Sequence, residues 1–170
     1  DFFPLLGLLA YSLMWTHYIW AAGRRYFNLN FQLAYNYGRL TRLIVLMLIL
    51  LHPGILLIQL YLDGFGLPPS SYGQVYTAPY MKIAILLGVG SLCAFLAYEL
   101  KNFLDNKKWW KYIGYANVAA MVAIFYHGLK LGGELQVDWY RTVWYFYGLS
   151  LLTSVIYIYW YDRKVIVEKK

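Results

Sequence analysis

Charge is scarce in this sequence. Lys, Arg, Asp and Glu make up 14% of 170 residues, against roughly a quarter in soluble domains. Only 8 residues are acidic. There is one cysteine, Cys93, and it lies inside an apolar run. That excludes an intramolecular disulfide and a cysteine-built metal site. No glycine loop has phosphate-binding spacing, no carboxylate pair falls inside the apolar runs, and no Ser, His and Asp converge on a plausible pocket. The apolar/polar alternation of strands is missing, and so are internal repeats and low-complexity tracts. These absences remove most soluble-enzyme chemistries.

What the chain has in quantity is apolar and aromatic surface, 61% hydrophobic and 21% aromatic residues. A membrane-crossing helix takes about 20 mostly apolar residues. Five stretches meet or approach that length: Phe2–Gly23, Leu43–Leu62, 80–98, Tyr112–Leu131 and Thr142–Tyr161. The third is shortest in its apolar core, Ile83–Tyr98, with Pro79, Tyr80 and Met81 leading into it. The fold class expected is an all-α polytopic bundle of about five transmembrane helices, because lipid admits only helices or closed barrels. One transmembrane domain over 1–170 uses the whole length. The sequence opens at Asp1, without Met, and so reads as trimmed or as a fragment. The first run lacks the basic start of a signal peptide and leads straight into Arg24 and Arg25.

The net charge of +7 is not the footprint of a nucleic-acid binder, because the charges cluster between apolar runs. Twelve basic residues fall on one side of the expected topology: Arg24, Arg25, Arg39, Arg42, Lys101, Lys107, Lys108, Lys111, Arg163, Lys164, Lys169 and Lys170. Three fall on the other: Lys82, Lys130 and Arg141. Basic loops stay cytoplasmic, which puts the N-terminus outside and the C-terminus inside. The segment Tyr26–Phe31 reads as interfacial, lying on the inner surface. The Gly-, Pro- and Ser-rich stretch Asp63–Thr77 reads as an external cap or loop. Trp109, Trp110, Trp139, Tyr140, Tyr159, Trp160 and Tyr161 sit near run ends, as belt anchors do.

Ionisable residues inside a span are functional suspects. Here they are His17, His52 and His127, with Glu99 at the edge of the third run. Buried histidines on two neighbouring helices can hold a haem. His52 and His127 lie on helices that run the same way, although counting from Arg42 and Lys111 puts them about 15 and 24 Å along. A kink at Pro53 can absorb that difference. Ala116, Ala120 and Ala123 precede His127 at same-face spacings, a small-residue stripe along which a flat macrocycle can lie. Lys130 follows His127 by three residues and can meet a haem propionate. The competing readings are structural. Such Ala stripes, and Gly88, Ser91 and Ala94, also serve close helix packing, and membrane histidines also serve as packed polar groups. His17 falls in the inner half and reads as structural or interfacial, with a quinone site or a ligand to a second haem as alternatives. Glu99 reads as a surface ion-pair partner near Lys101.

With these residues in view, the chain resembles the ferric reductase-like transmembrane superfamily. That group includes ferric reductases, NADPH oxidases and the haem subunit of the bacterial methionine-sulfoxide reductase system. The matching pieces are Gly38-Arg39-Leu40-Thr41-Arg42 leading to His52, and Trp109-Trp110-Lys111 leading to Phe125-Tyr126-His127-Gly128. The resemblance covers roughly residues 1–160. The family carries a second histidine thirteen residues before His127, where this chain has Gly114. The resemblance therefore implies one haem b in the outer leaflet, held by His52 and His127. A second haem would need an unusual ligand, and His17 is the only spare imidazole. It also implies a membrane b-type cytochrome that passes single electrons, in a membrane of the bacterial plasma-membrane type. The donor would be a quinol or a cytoplasmic flavoprotein, and the acceptor would lie outside. The chain stops nine residues past the fifth run, so no flavin or nicotinamide domain is expected within it. The rival is a non-redox membrane scaffold or small transporter subunit with packed polar histidines.

Overall fold

The computed structural model describes residues 3–29, 31–100 and 110–168. Every regular element among them is helical: α1 Phe3–Phe27, α2 Phe31–Leu62, α3 Ser70–Val75, α4 Pro79–Leu100, α5 Trp110–Leu131, a 3₁₀ turn Glu134–Gln136, and α6 Asp138–Glu168. Four of these contain segments long and apolar enough to cross a membrane by length and composition: Tyr35–Leu62, Pro79–Leu100, Tyr112–Leu131 and Asp138–Val165. In 25-residue α1 length is sufficient, but Tyr11, Ser12, Trp15, Thr16, His17 and Tyr18 dilute its apolar character. Leu86, Leu149 and Ile156 are more than 60% exposed, and a bundle that turns its aliphatic side chains outward suits a lipid surround.

Cross-helix pairs fix the directions of the helices. Gly7 meets His52 while His17 meets Thr41, so α1 and α2 are antiparallel. His127 reaches Ala84 while Ser91 reaches Ala120, so α4 and α5 are antiparallel too. Along α1 and α6, Trp15 bonds Ser150 and Arg25 bonds Asp162, so these two run in parallel. The long helices thus alternate up and down. One end carries Arg24, Arg25, Arg39, Arg42, Arg163 and Lys164, and the other carries Lys82, Lys130 and Arg141.

Two expectations about connections change. Tyr26 and Phe27 are the last residues of α1 rather than part of a separate surface segment. Asn28, at φ 51°, then turns the chain in the left-handed conformation that Asn tolerates at helix ends, and the Leu29 amide donates back to the Arg24 carbonyl at 3.1 Å. The stretch Asp63–Thr77 is partly ordered as α3, entered through left-handed Gly64 and Gly66. The cluster Lys101, Lys107, Lys108 and Trp109, with Lys169 and Lys170, lies outside the described residues, as do the side chains of Trp110 and Lys111.

The core centres on α1, which packs against α2, α5 and α6. Tyr11, Trp144, Met121, Leu135 and Leu151 are its most deeply buried side chains. Between apolar helices in lipid there is no hydrophobic drive to associate, so close fit decides packing. Glycines supply that fit. A Cβ on Gly128 would lie 2.9 Å from the Trp144 ring, and one on Gly148 would lie 2.6 Å from Phe125. At the arginine-rich end, Arg25 grips Asp162 through two bonds of 2.9 Å, and Arg42 pairs with Glu99 at 3.5 Å. Glu99 is therefore an ion-pair residue, with an arginine of α2 as a partner.

Candidate functional site

α2 and α5 bring His52 and His127 together, with ring centroids 6.4 Å apart and planes 82° to one another. Their depths agree because α2 starts at Phe31, twelve residues before the expected Leu43, so Arg42 does not mark its lower end. His52 Nδ1 lies 2.7 Å from the Phe3 carbonyl oxygen. His127 Nδ1 lies 2.8 Å from that of Ala84. A carbonyl can only accept, so each Nδ1 carries a proton and donates it. In a neutral imidazole this leaves Nε2 as a bare lone pair. Among the described residues neither Nε2 has a hydrogen-bond partner. Metal-bound histidines are held in the same way, with one nitrogen on the metal and the other N–H fixed by a carbonyl or carboxylate.

Two glycines make this possible. Gly7 on α1 lies under the face of His52, where a Cβ would fall 3.0–3.2 Å from three ring atoms. Gly88 on α4 lies against His127, where a Cβ would fall 2.7 Å from Nδ1. Gly costs about 1 kcal/mol relative to Ala inside a helix. Here each glycine admits an imidazole that Ala would displace.

The imidazoles line a mainly apolar cavity of ≈180 Å³. Its wall on α1 runs from Phe3 to Met14, about 16 Å of helix. Trp144, Phe95 and Leu92 line its deeper part, and Tyr72 and Tyr76 belong to the α3 segment at the other end. Burial raises the phenol pKa of Tyr72 and Tyr76, and their proximity adds to it for Tyr76. Both stay neutral donors at ordinary pH.

The residue types fit a haem. An imidazole bonded to a metal at about 2.0 Å puts its centroid roughly 3 Å from the metal, so two rings on opposite sides stand about 6 Å apart. The observed centroid separation, 6.4 Å, is of that size. Among the described residues no three His, Cys, Asp or Glu gather as an all-protein metal site. A macrocycle brings four nitrogens of its own and asks the protein for two axial ligands.

The other expected site residues lie elsewhere. Ala116, Ala120 and Ala123 are not in the cavity wall, where Ile124, His127, Gly128 and Leu131 represent α5. Ala120 is buried, and its carbonyl accepts a bond from the Ser91 hydroxyl at 3.2 Å, so this part of the stripe packs against α4. Lys130 is outside the cavity wall, with Nζ 5.6–5.7 Å over the rings of Tyr126 and Tyr80. His17 joins Thr41 through Nε2, beside a second cavity lined by Trp20, Arg24 and Tyr37. Since the Thr41 hydroxyl donates to the Tyr37 carbonyl at 2.8 Å, it accepts from His17, whose Nε2 therefore carries the proton. Sequence reasoning missed Gly7, Tyr11 and the Phe3 and Ala84 carbonyls. Gly7, a glycine in the middle of an apolar stretch opposite a histidine helix, was the available signal. No protein-family model, curated protein or solved structure matches this chain.

Proposed function

We propose that this chain is a membrane b-type cytochrome that passes single electrons, the haem subunit of a ferric reductase-like transmembrane oxidoreductase. One haem b is held between Nε2 of His52 and Nε2 of His127. The observation that carries the reading is the pair of imidazoles 6.4 Å apart, each with Nδ1 fixed on a backbone carbonyl and Nε2 without a partner. Such a haem would supply a one-electron iron couple, with His52 and His127 as the residues that would hold it. The chain does the rest. Phe3 and Ala84 hold the tautomers, Gly7 and Gly88 let the rings lie close, and Trp144, Leu92 and Phe95 line the site with apolar surface.

In this reading α1 is a fifth span, supported by its length and its central packing. The arginine-rich end faces the cytoplasm by the positive-inside rule, with the N-terminus outside and the membrane of the bacterial plasma-membrane type. The histidine pair then sits toward the outer face, near an external redox partner. A quinol within the bilayer reaches this depth more readily than a cytoplasmic flavoprotein, which favours it as donor.

The test is a reduced-minus-oxidised spectrum of protein purified in detergent, with His52→Ala and His127→Ala beside it. Wild type should show a b-type spectrum, and each variant should lose it. If either variant keeps full haem content with an unchanged spectrum, the ligand assignment is wrong. A wild type without haem leaves the scaffold or transporter-subunit reading.

A further inference from the structure

We propose that the hydroxyl of Tyr11 holds a carboxyl group of the haem bound between His52 and His127, an inference that rests on the haem reading above. Tyr11 is fully buried in the cavity wall. Its ring packs 4.5 Å from that of Trp144, yet its Oη has no hydrogen-bond partner among the described residues. Buried tyrosine hydroxyls nearly always find one. Tyr11 lies one turn beyond Gly7, the seat of His52, and so about 6 Å along α1 from the imidazole. That is within reach of a substituent on the macrocycle edge.

A second group in the same wall lacks its helical partner. Pro53, inside α2, has no N–H to offer the carbonyl of Ile49 one turn earlier, and Ile49 lines the cavity. An unpartnered O–H, and a carbonyl without its usual helical amide in the same wall, suit a ligand group that both accepts and donates. A neutral carboxylic acid does both, and an apolar surround favours its uncharged form. On a b-type macrocycle the two propionic acid groups carry the only oxygens. Lys130, the sequence-based candidate for this contact, sits over Tyr80 and Tyr126 instead. Tyr11 is thus a positioning residue that sets which edge of the macrocycle faces inward.

The test titrates full-length apoprotein in detergent with ferric protoporphyrin IX and with ferric etioporphyrin, which carries only alkyl groups and no carboxyl. Tyr11→Phe should bind the protoporphyrin about tenfold more weakly than wild type, the size of one hydrogen bond to a strongly polar group. Its affinity for the carboxyl-free macrocycle should barely change, so the preference for the acid-bearing ligand collapses. The Tyr11→Phe apoprotein should be at least as heat-stable as wild type, because the orphan hydroxyl is gone. The proposal is overturned if Tyr11→Phe keeps the wild-type preference, if Tyr72→Phe loses it instead, or if the Tyr11→Phe apoprotein melts at lower temperature. Failure of the haem reading looks different: wild type binds neither ligand, or binds both without His52 and His127.

Discussion

His52 and His127 stand at one end of the bundle and His17 at the other, and the two regions treat the same side chain in opposite ways. In the pair, Nδ1 donates to a carbonyl and Nε2 is left bare in a cavity. At His17 the proton is on Nε2, which donates to Thr41, and the ring stands edge-on to Tyr37 at 5.6 Å. All three histidines are partly buried. Burial therefore does not separate the proposed haem ligands from His17. The nitrogen left free does, and the neighbouring backbone sets it.

The sharpest way to break this contrast is to exchange single side chains. His52→Ala or His127→Ala should abolish stoichiometric haem, whereas His17→Ala should leave haem content unchanged and lower stability by about 1 kcal/mol, the net worth of one hydrogen bond. Haem stoichiometry and thermal unfolding in detergent measure both. Next in size is Gly88→Ala. Its Cβ would press on His127 Nδ1 and push it off the Ala84 carbonyl, and loss of such a supporting bond costs roughly 10–100-fold in metal affinity. Since Ala favours the helix, haem should be lost without unfolding, and circular dichroism beside haem titration separates the two. Gly7→Ala, with a looser 3.0 Å approach, should weaken binding less.

Away from the cavity, Asp162→Asn removes the paired charge from Arg25. It should cost about 1 kcal/mol in detergent unfolding, since such partly exposed pairs contribute little, and haem content should not move. The smallest effect belongs to Gly114→His. A Cβ there meets nothing within 4 Å, so a side chain can start there without a clash, but α2 holds only one histidine to face α5. Haem per chain should stay at one.

The sequence was legible where periodicity and composition carry the information. The apolar runs located all five long helices, and His52 and His127 stood out as ionisable residues within them, although their spacing from Arg42 and Lys111 counted against the pairing. Boundaries were less legible. α2 begins at Phe31, because Tyr35 and Tyr37 continue a helix that hydropathy alone starts at Leu43. Which face of α5 meets the site was not legible either. Ala116, Ala120 and Ala123 share a spacing that fits a cofactor wall and a helix interface equally, and for Ala120 it is Ser91 on α4 that decides. The Phe3 and Ala84 carbonyls leave no mark in sequence at all, since any residue can supply a carbonyl.

The central claim is that two Nε2 atoms face one iron. The most direct measurement is haem per chain in purified wild-type protein, followed by low-temperature electron paramagnetic resonance of the ferric form. One haem per chain is expected, with a low-spin signal of large gmax, because imidazole planes near 82° would leave the orbitals of an iron held between them close to degenerate. Protein without haem, or with a high-spin ferric signal, would contradict it.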